Sequence, residues 1–105
     1  MGQRLSPEHQ ELYCRVDEVL HYLWDPIGVS HVPEARDEYQ SYLPHIFSLL
    51  IHRGDAEEIA EFLTKTATQA MGLADTNSGR EHSKQIAAIL GHWRDVIRER
   101  HTPNA

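Results

Sequence analysis

The sequence predicts an all-α protein, a compact and irregular four-helix domain. Apolar residues recur at intervals of three and four over four separate stretches, as on one face of a helix. Cap and stop residues bound most of these stretches, and no alternating run with hairpin chemistry occurs in the 105 residues. A chain of this length is expected to form one domain, residues 1–105, with a single core. The helices are predicted over about residues 7–24, 41–53, 56–71 and 79–100.

The first predicted helix has clear signals at both ends. Ser6 is a favoured N-cap residue, and Pro7 fits the first helical position. Pro26 disfavours the α conformation in the residue before it, so the helix must stop by Trp24 or Asp25. The predicted apolar stripe consists of Leu12, Val16, Val19, Leu20 and Leu23.

The segment Trp24-Asp25-Pro26-Ile27-Gly28 is typical of a tight turn. Asp25, Pro26 and Gly28 occupy positions i, i+1 and i+3 of a type I turn. The Asp25 carboxylate is expected to accept a hydrogen bond from the backbone N–H two residues on. Trp24 and Ile27 are expected to insert into the core beneath the turn. We therefore predict a rigid corner, and we favour a structural role for Asp25 over a catalytic one.

A second motif, Asp37-Glu38-Tyr39, follows a loop without clear periodicity. We expect Asp37 or Glu38 to lie at or just before a helix start, where its carboxylate accepts backbone N–H bonds. We expect Tyr39 to pack against the Trp24 corner. A helix that starts this early would be kinked at Pro44.

The other helix boundaries rest on proline, caps and turn-formers. If Pro44 lies in a first turn, where it is tolerated, the second helix has its cap near Ser41. Asp55 and Glu58 resemble a capping box at the start of the third helix. The segment 73–79 is dense in turn-formers and indicates a linker before the last helix.

The charge balance restricts the classes of partner. Sixteen acidic residues against ten Lys and Arg give a net charge of −6, with eight histidines counted as neutral. Sequence-independent nucleic-acid binding needs a cationic surface, so this balance argues against it and suits a basic protein partner. No apolar run approaches the roughly 18 residues of a spanning helix, and MGQRLSPEHQ lacks the apolar stretch of a signal peptide. We expect no membrane association and a cytoplasmic location.

No motif in the chain identifies a reaction. The histidines show no metal-ligand spacing on a helix face, and the lone Cys14 forms no cysteine pair. A Gly-rich phosphate loop and a serine elbow are also missing from the sequence. For acid–base catalysis Asp25, Asp37 and Glu38 would have to converge, and no spacing indicates that they do. We expect no metal, no cofactor and no catalytic residue.

The two motifs together resemble those of a set of small bacterial helical proteins. These are the YugE-like family of unknown function and relatives among the predicted immunity proteins of polymorphic toxin systems. The resemblance covers about residues 12–100. It implies an all-α fold and makes toxin neutralisation a candidate function. The residues that it singles out are Trp24, Asp25, Pro26, Gly28, Asp37, Glu38 and Tyr39.

The leading hypothesis is a non-enzymatic interaction protein, an immunity protein or antitoxin that covers a basic toxin. Its expected contact face consists of Glu57, Glu58 and Glu61, which lie within about one helical turn, although these acids also suit the dipole of their own helix. One alternative is a small ligand-binding domain or enzyme with a pocket between the corner and the Asp37-Glu38-Tyr39 motif. Another is a structural or adaptor homodimer.

Overall fold

The computed structural model describes residues 5–52 and 54–102, and within them it contains helices and turns without a β-strand. The all-α prediction is confirmed. None of the helices in this described part is both long and apolar enough to cross a membrane. The four α-helices are α1 (Pro7–Val19), α2 (Leu43–Ile51), α3 (Ala56–Lys65) and α4 (Asn77–His101).

The core lies between α4 and the other helices. α4 packs most extensively against α3 and next against α1, while α2 closes the core from the side. The buried apolar side chains form one continuous cluster, and the radius of gyration is 14.1 Å. The predicted compact, irregular four-helix arrangement is therefore confirmed. The largest fully buried side chains are Val16, Leu20, Ile46, Leu50, Ile59, Leu63, Leu90 and Ile97.

Three helix starts are fixed by side-chain caps. Ser6 accepts a hydrogen bond from the His9 N–H at 3.2 Å. Asp55 accepts one from the Glu58 N–H at 2.8 Å. Thr76 caps α4, which therefore begins at Asn77, two residues before the predicted start at 79. Each cap satisfies an N–H that has no partner within its helix.

The second helix begins with a tighter turn than expected. Residues Gln40–Tyr42 form a 3₁₀ turn, and α2 follows directly with Pro44 in its first turn. Pro44 is tolerated there because an N–H at this position has no partner within the helix. The N-cap residue is Tyr42, one position after the predicted cap near Ser41, and its side chain makes no capping hydrogen bond. The predicted last residue, Arg53, lies outside the described residues.

Two helices end in a π-turn, with hydrogen bonds from residue i to residue i−5. α1 continues into the π-turn Leu20–Trp24, where the Asp25 N–H bonds to the Leu20 carbonyl at 3.0 Å, and α3 continues into Thr66–Ala70. A π-turn holds more residues than an α-turn, so the core-facing position moves one residue along the chain. Trp24 is consequently buried at 2% exposure, whereas Leu23, predicted in the apolar stripe, is 49% exposed.

Candidate functional site

The corner after α1 is a hydrogen-bonded turn built on an unusual backbone. The Gly28 N–H bonds to the Asp25 carbonyl at 3.1 Å, which closes the predicted turn. Asp25 itself is left-handed, with φ of 34°, a conformation that Asp and Asn tolerate better than other side chains. Gly28 also has positive φ, at 68°. Ile27 is 38% exposed, so its predicted insertion into the core is wrong.

The Asp25 carboxylate is the acceptor at the centre of the corner. One oxygen accepts the Val29 N–H at 2.8 Å, and the other accepts the Ser30 N–H at 3.1 Å. The acceptor role is confirmed, but the donors lie four and five residues on, instead of two. Burial raises the pKa of Asp25, and the hydrogen bonds from Tyr39, Val29 and Ser30 outweigh this and hold it below its ordinary value of 3.8.

Tyr39 connects the two motifs, as predicted. Its side chain is 2% exposed, and its ring centroid lies 5.3 Å from that of Trp24. The Tyr39 hydroxyl donates to Asp25 Oδ1 at 2.6 Å and accepts from the Ile27 N–H at 3.3 Å. Burial, followed by the bond to Asp25, raises the pKa of Tyr39 well above its ordinary value. Trp24, Asp25 and Tyr39 thus form one rigid unit, which we call the corner triad.

Asp37 and Glu38 do not have the predicted capping role. Both are exposed, and neither carboxylate accepts a hydrogen bond from the described residues. The N-cap residue of the 3₁₀ turn Gln40–Tyr42 is instead Tyr39. The Gln40 N–H donates to the backbone carbonyl of Asp37 at 3.2 Å. The Tyr39 ring packs against Trp24 between the two motifs, where the alternative hypothesis expects a pocket.

The loop between the motifs is held by a contact that the sequence did not reveal. The Arg36 guanidinium donates to both oxygens of Asp17 on α1, at 3.1 and 3.0 Å. It also lies 5.5 Å from the centre of the Tyr22 ring. The hydrogen bonds to Asp17 raise the pKa of Arg36 further. Bidentate geometry of this kind restrains the loop more than a single hydrogen bond would.

The predicted contact face is exposed and borders a groove. Glu57, Glu58 and Glu61 are all exposed, and none forms an ion pair with the described residues within 4.0 Å. Glu61 and Lys65 are four residues apart on α3, a spacing that allows an ion pair, but they do not form one. The groove has a volume of about 640 Å³. Its lining residues are apolar Leu49, Ala60 and Phe62, His45, these acids, and basic Lys65, Arg80 and Lys84.

A smaller cavity of about 360 Å³ lies beside the corner, and its lining does not include Asp37 or Glu38. We call it the corner cavity. Three segments meet there: the end of α1 with its turn, the end of α3 with the following linker, and the first turns of α4. Sequence reasoning missed it, although the linker 73–79 was recognised. Its principal lining residues are Trp24, Pro26, Leu73, Asp75, Ser78, Arg80, His82 and Ser83.

Within residues 5–52 and 54–102, the His, Cys, Asp and Glu side chains form no group of three or more that could hold a metal ion. Cys14 lies exposed on α1. His21 is instead buried, and its Nδ1 makes no hydrogen bond in the described structure.

Comparisons with protein-family models, with curated proteins and with solved structures gave no match to this chain. The resemblance of the two motifs to the YugE-like family and to predicted immunity proteins therefore stays a prediction.

Proposed function

We propose that this chain is a non-enzymatic interaction protein that binds a protein partner with a basic surface, as an immunity protein or antitoxin does. The observation that carries the proposal is the exposed, unneutralised acidic face formed by Glu57, Glu58 and Glu61 on α3. In this proposal the protein acts in the cytoplasm, in line with its single, unpaired Cys14.

Several other acids of the chain form ion pairs with its own basic residues, whereas the three acids of the α3 face form none with the described residues. Glu18 pairs with Arg15 on the same helix, and Asp75 pairs with Arg80 at the start of α4. Glu11 on α1 is held by two basic residues near the end of α4. A carboxylate that is paired with a basic residue of the same chain adds little to the electrostatic potential in the surrounding solvent. The acids on α3 therefore contribute more than their number suggests to the attraction of a basic partner.

The groove beside these acids supplies apolar contact area. Leu49 and Phe62 contribute apolar surface next to the acidic rim, which matches the usual anatomy of an interface, with an apolar centre and a polar edge. Lys65 and Lys84 also line the groove. The partner segment that fits is therefore basic where it meets Glu57 and Glu61, and apolar over Phe62.

The test is to co-express the protein with the product of the toxin-like gene nearest to its own and to measure the association rate at low and high salt. Glu57→Gln combined with Glu61→Gln should slow association at low salt by about tenfold, with a smaller effect at high salt, because rim charges act mainly on the on-rate. Glutamine keeps the size and helix propensity of glutamate, so the fold is expected to be retained.

The matched control is Glu34→Gln combined with Glu99→Gln, which removes the same charge at two exposed positions outside α3 and outside the groove. This pair should leave the rate nearly unchanged. Equal slowing by both pairs would mean that only net charge matters, and it would reject the α3 face. If no neighbouring gene product binds, the interaction proposal itself is rejected.

A further inference from the structure

The face of α3 that borders the groove carries charges of both signs. Glu58 lies in the first turn of α3 and Lys65 in its last turn, and both line the groove together with Phe62. At about 100° per residue, these three side chains fall within about 60° of one another around the helix axis. They form one stripe, acidic at the start of the helix and basic at its end, which we call the α3 stripe.

The two charges of the stripe are exposed, and neither forms an ion pair with the described residues within 4.0 Å. Phe62 lies between them and is only partly buried. Its ring contacts that of exposed His45, with centroids 4.4 Å apart. The stripe thus offers an apolar contact flanked by two charges of opposite sign.

The α3 stripe is complementary to a second copy of itself. When two copies of α3 pack antiparallel about a two-fold axis, Glu58 of each copy faces Lys65 of the other. Phe62 lies close to the midpoint between these two positions, so the two Phe62 rings meet near the axis. In a two-fold interface the same patch serves both partners, and each contact occurs twice. A parallel arrangement would instead place like charges opposite each other, which is repulsive.

We propose that the α3 stripe is a self-association surface through which two copies of this chain form an antiparallel dimer. α3 has 10 residues and is about 15 Å long, so the contact is smaller than the roughly 1,200–2,000 Å² of a stable interface. The net charge of −6 on each copy also opposes association. The dimer is therefore weak and depends on concentration.

The dimer also bears on the binding of a basic partner. Glu58 belongs both to the α3 stripe and to the acidic face, so a basic partner and a second copy exclude each other. This competition rests on the proposed function, whereas the dimer itself does not. A measurement on this chain alone therefore tests the dimer independently of any partner.

The test is sedimentation equilibrium of the full chain at about 0.15 M salt, where long-range repulsion is screened. The wild type should show a monomer–dimer equilibrium with a dissociation constant in the micromolar range. Glu58→Lys and Lys65→Glu should each raise that constant by about tenfold, because each turns two attractive pairs of the dimer into repulsive ones. Glu58→Lys also reduces the net negative charge, so general repulsion alone predicts the opposite result.

Mixing the two variants is the decisive measurement. Glu58→Lys carries lysine at both positions and Lys65→Glu carries glutamate at both, so the mixed pair regains two attractive contacts. The mixture should form a heterodimer about as tightly as the wild type forms its dimer. Restored association excludes loss of structure as the cause of the weakening. A mixture that associates no better than the separate variants would overturn the proposal.

The matched control is Glu34→Lys, which makes the same charge change as Glu58→Lys at an exposed position outside α3 and the groove. It should not weaken the dimer. Equal weakening by Glu34→Lys, or a wild-type chain that stays monomeric up to about 1 mM, would reject the α3 stripe.

Glu61→Gln distinguishes the dimer from the binding of a basic partner. Glu61 lies next to the midpoint of the stripe, so the two Glu61 carboxylates approach each other beside the axis. Their removal should tighten the dimer by about twofold, as expected when a like-charge pair is lost. For a basic partner, removal of the same charge slows association. A dimer weakened by Glu61→Gln would contradict the antiparallel arrangement.

Discussion

The hydroxyl of Tyr39 offers a direct measurement of how firmly the corner is held. Tyr39→Phe keeps the ring against Trp24 and removes only the hydroxyl, which donates to Asp25 at 2.6 Å and accepts from the Ile27 N–H at 3.3 Å. A hydrogen bond to a charged group contributes about 1.5–3 kcal/mol. Ile27 is partly exposed, so its freed N–H can be hydrated and adds little. We therefore expect Tyr39→Phe to lower the free energy of unfolding by about 1.5–3 kcal/mol.

The assay is urea denaturation followed by circular dichroism, with Tyr42→Phe as control. The Tyr42 ring also packs on Trp24, with centroids 6.4 Å apart, but its hydroxyl makes no hydrogen bond with the described residues. Its loss should change the free energy of unfolding by less than about 0.5 kcal/mol.

A double-mutant cycle with Asp25→Asn assigns the effect to the pair. The two substitutions should be non-additive by about 0.5–3 kcal/mol, as for residues in direct contact. Full additivity, or a Tyr39→Phe protein as stable as the wild type, would show that the hydroxyl does not brace the corner.

Two further predictions concern the same region. Trp24→Ala should lower the free energy of unfolding, measured by urea denaturation, by about 3–5 kcal/mol. Leu23→Ala should lower it by less than about 1 kcal/mol, because the π-turn leaves Leu23 exposed. Equal losses would contradict the finding that Trp24 has taken the core-facing position from Leu23. The pKa of Asp25 is lower in the folded state than its ordinary value of 3.8, so the stability from the ionised carboxylate is present above that pH and is lost as pH falls through the folded pKa. The melting temperature of the wild type should therefore exceed that of Asp25→Asn at pH 7, and this difference should shrink below about pH 4. A difference that stays constant down to pH 2 would show that folding does not stabilise the ionised carboxylate.

The features that the sequence predicted correctly depend on near neighbours in the chain. Ser6 and Asp55 cap their helices through bonds to the N–H three residues on, which is a local geometry. A helix tolerates proline only in its first turn, and Pro44 lies in the first turn of α2. The packing of Tyr39 on Trp24 was the exception, because it links positions 15 residues apart. It was predictable because the loop between the two motifs was expected to fold back and bring the second motif against the corner.

The features that were missed depend on tertiary structure. A π-turn leaves no signature in the spacing of apolar residues, so Leu23 was assigned to the core. The Asp25 carboxylate bonds to Val29 and Ser30 because its own backbone is left-handed, and a type I turn does not predict that conformation. The corner cavity combines the end of α1 with residues that begin about 40 positions further along the chain, which no local pattern brings together.

The π-turn at the end of α1 also has a consequence for insertions and deletions in this chain. Each residue of an α-helix advances the helical face by about 100°, and the π-turn absorbs one additional residue without rotating Trp24 off the core. Removing Leu23 would let the segment close as an ordinary α-turn, with the tryptophan then at the position that α-helical spacing assigns to the core. Shortening the segment 20–24 by one residue is therefore expected to keep the tryptophan buried. Related chains one residue shorter here would keep the corner and would lose an exposed leucine.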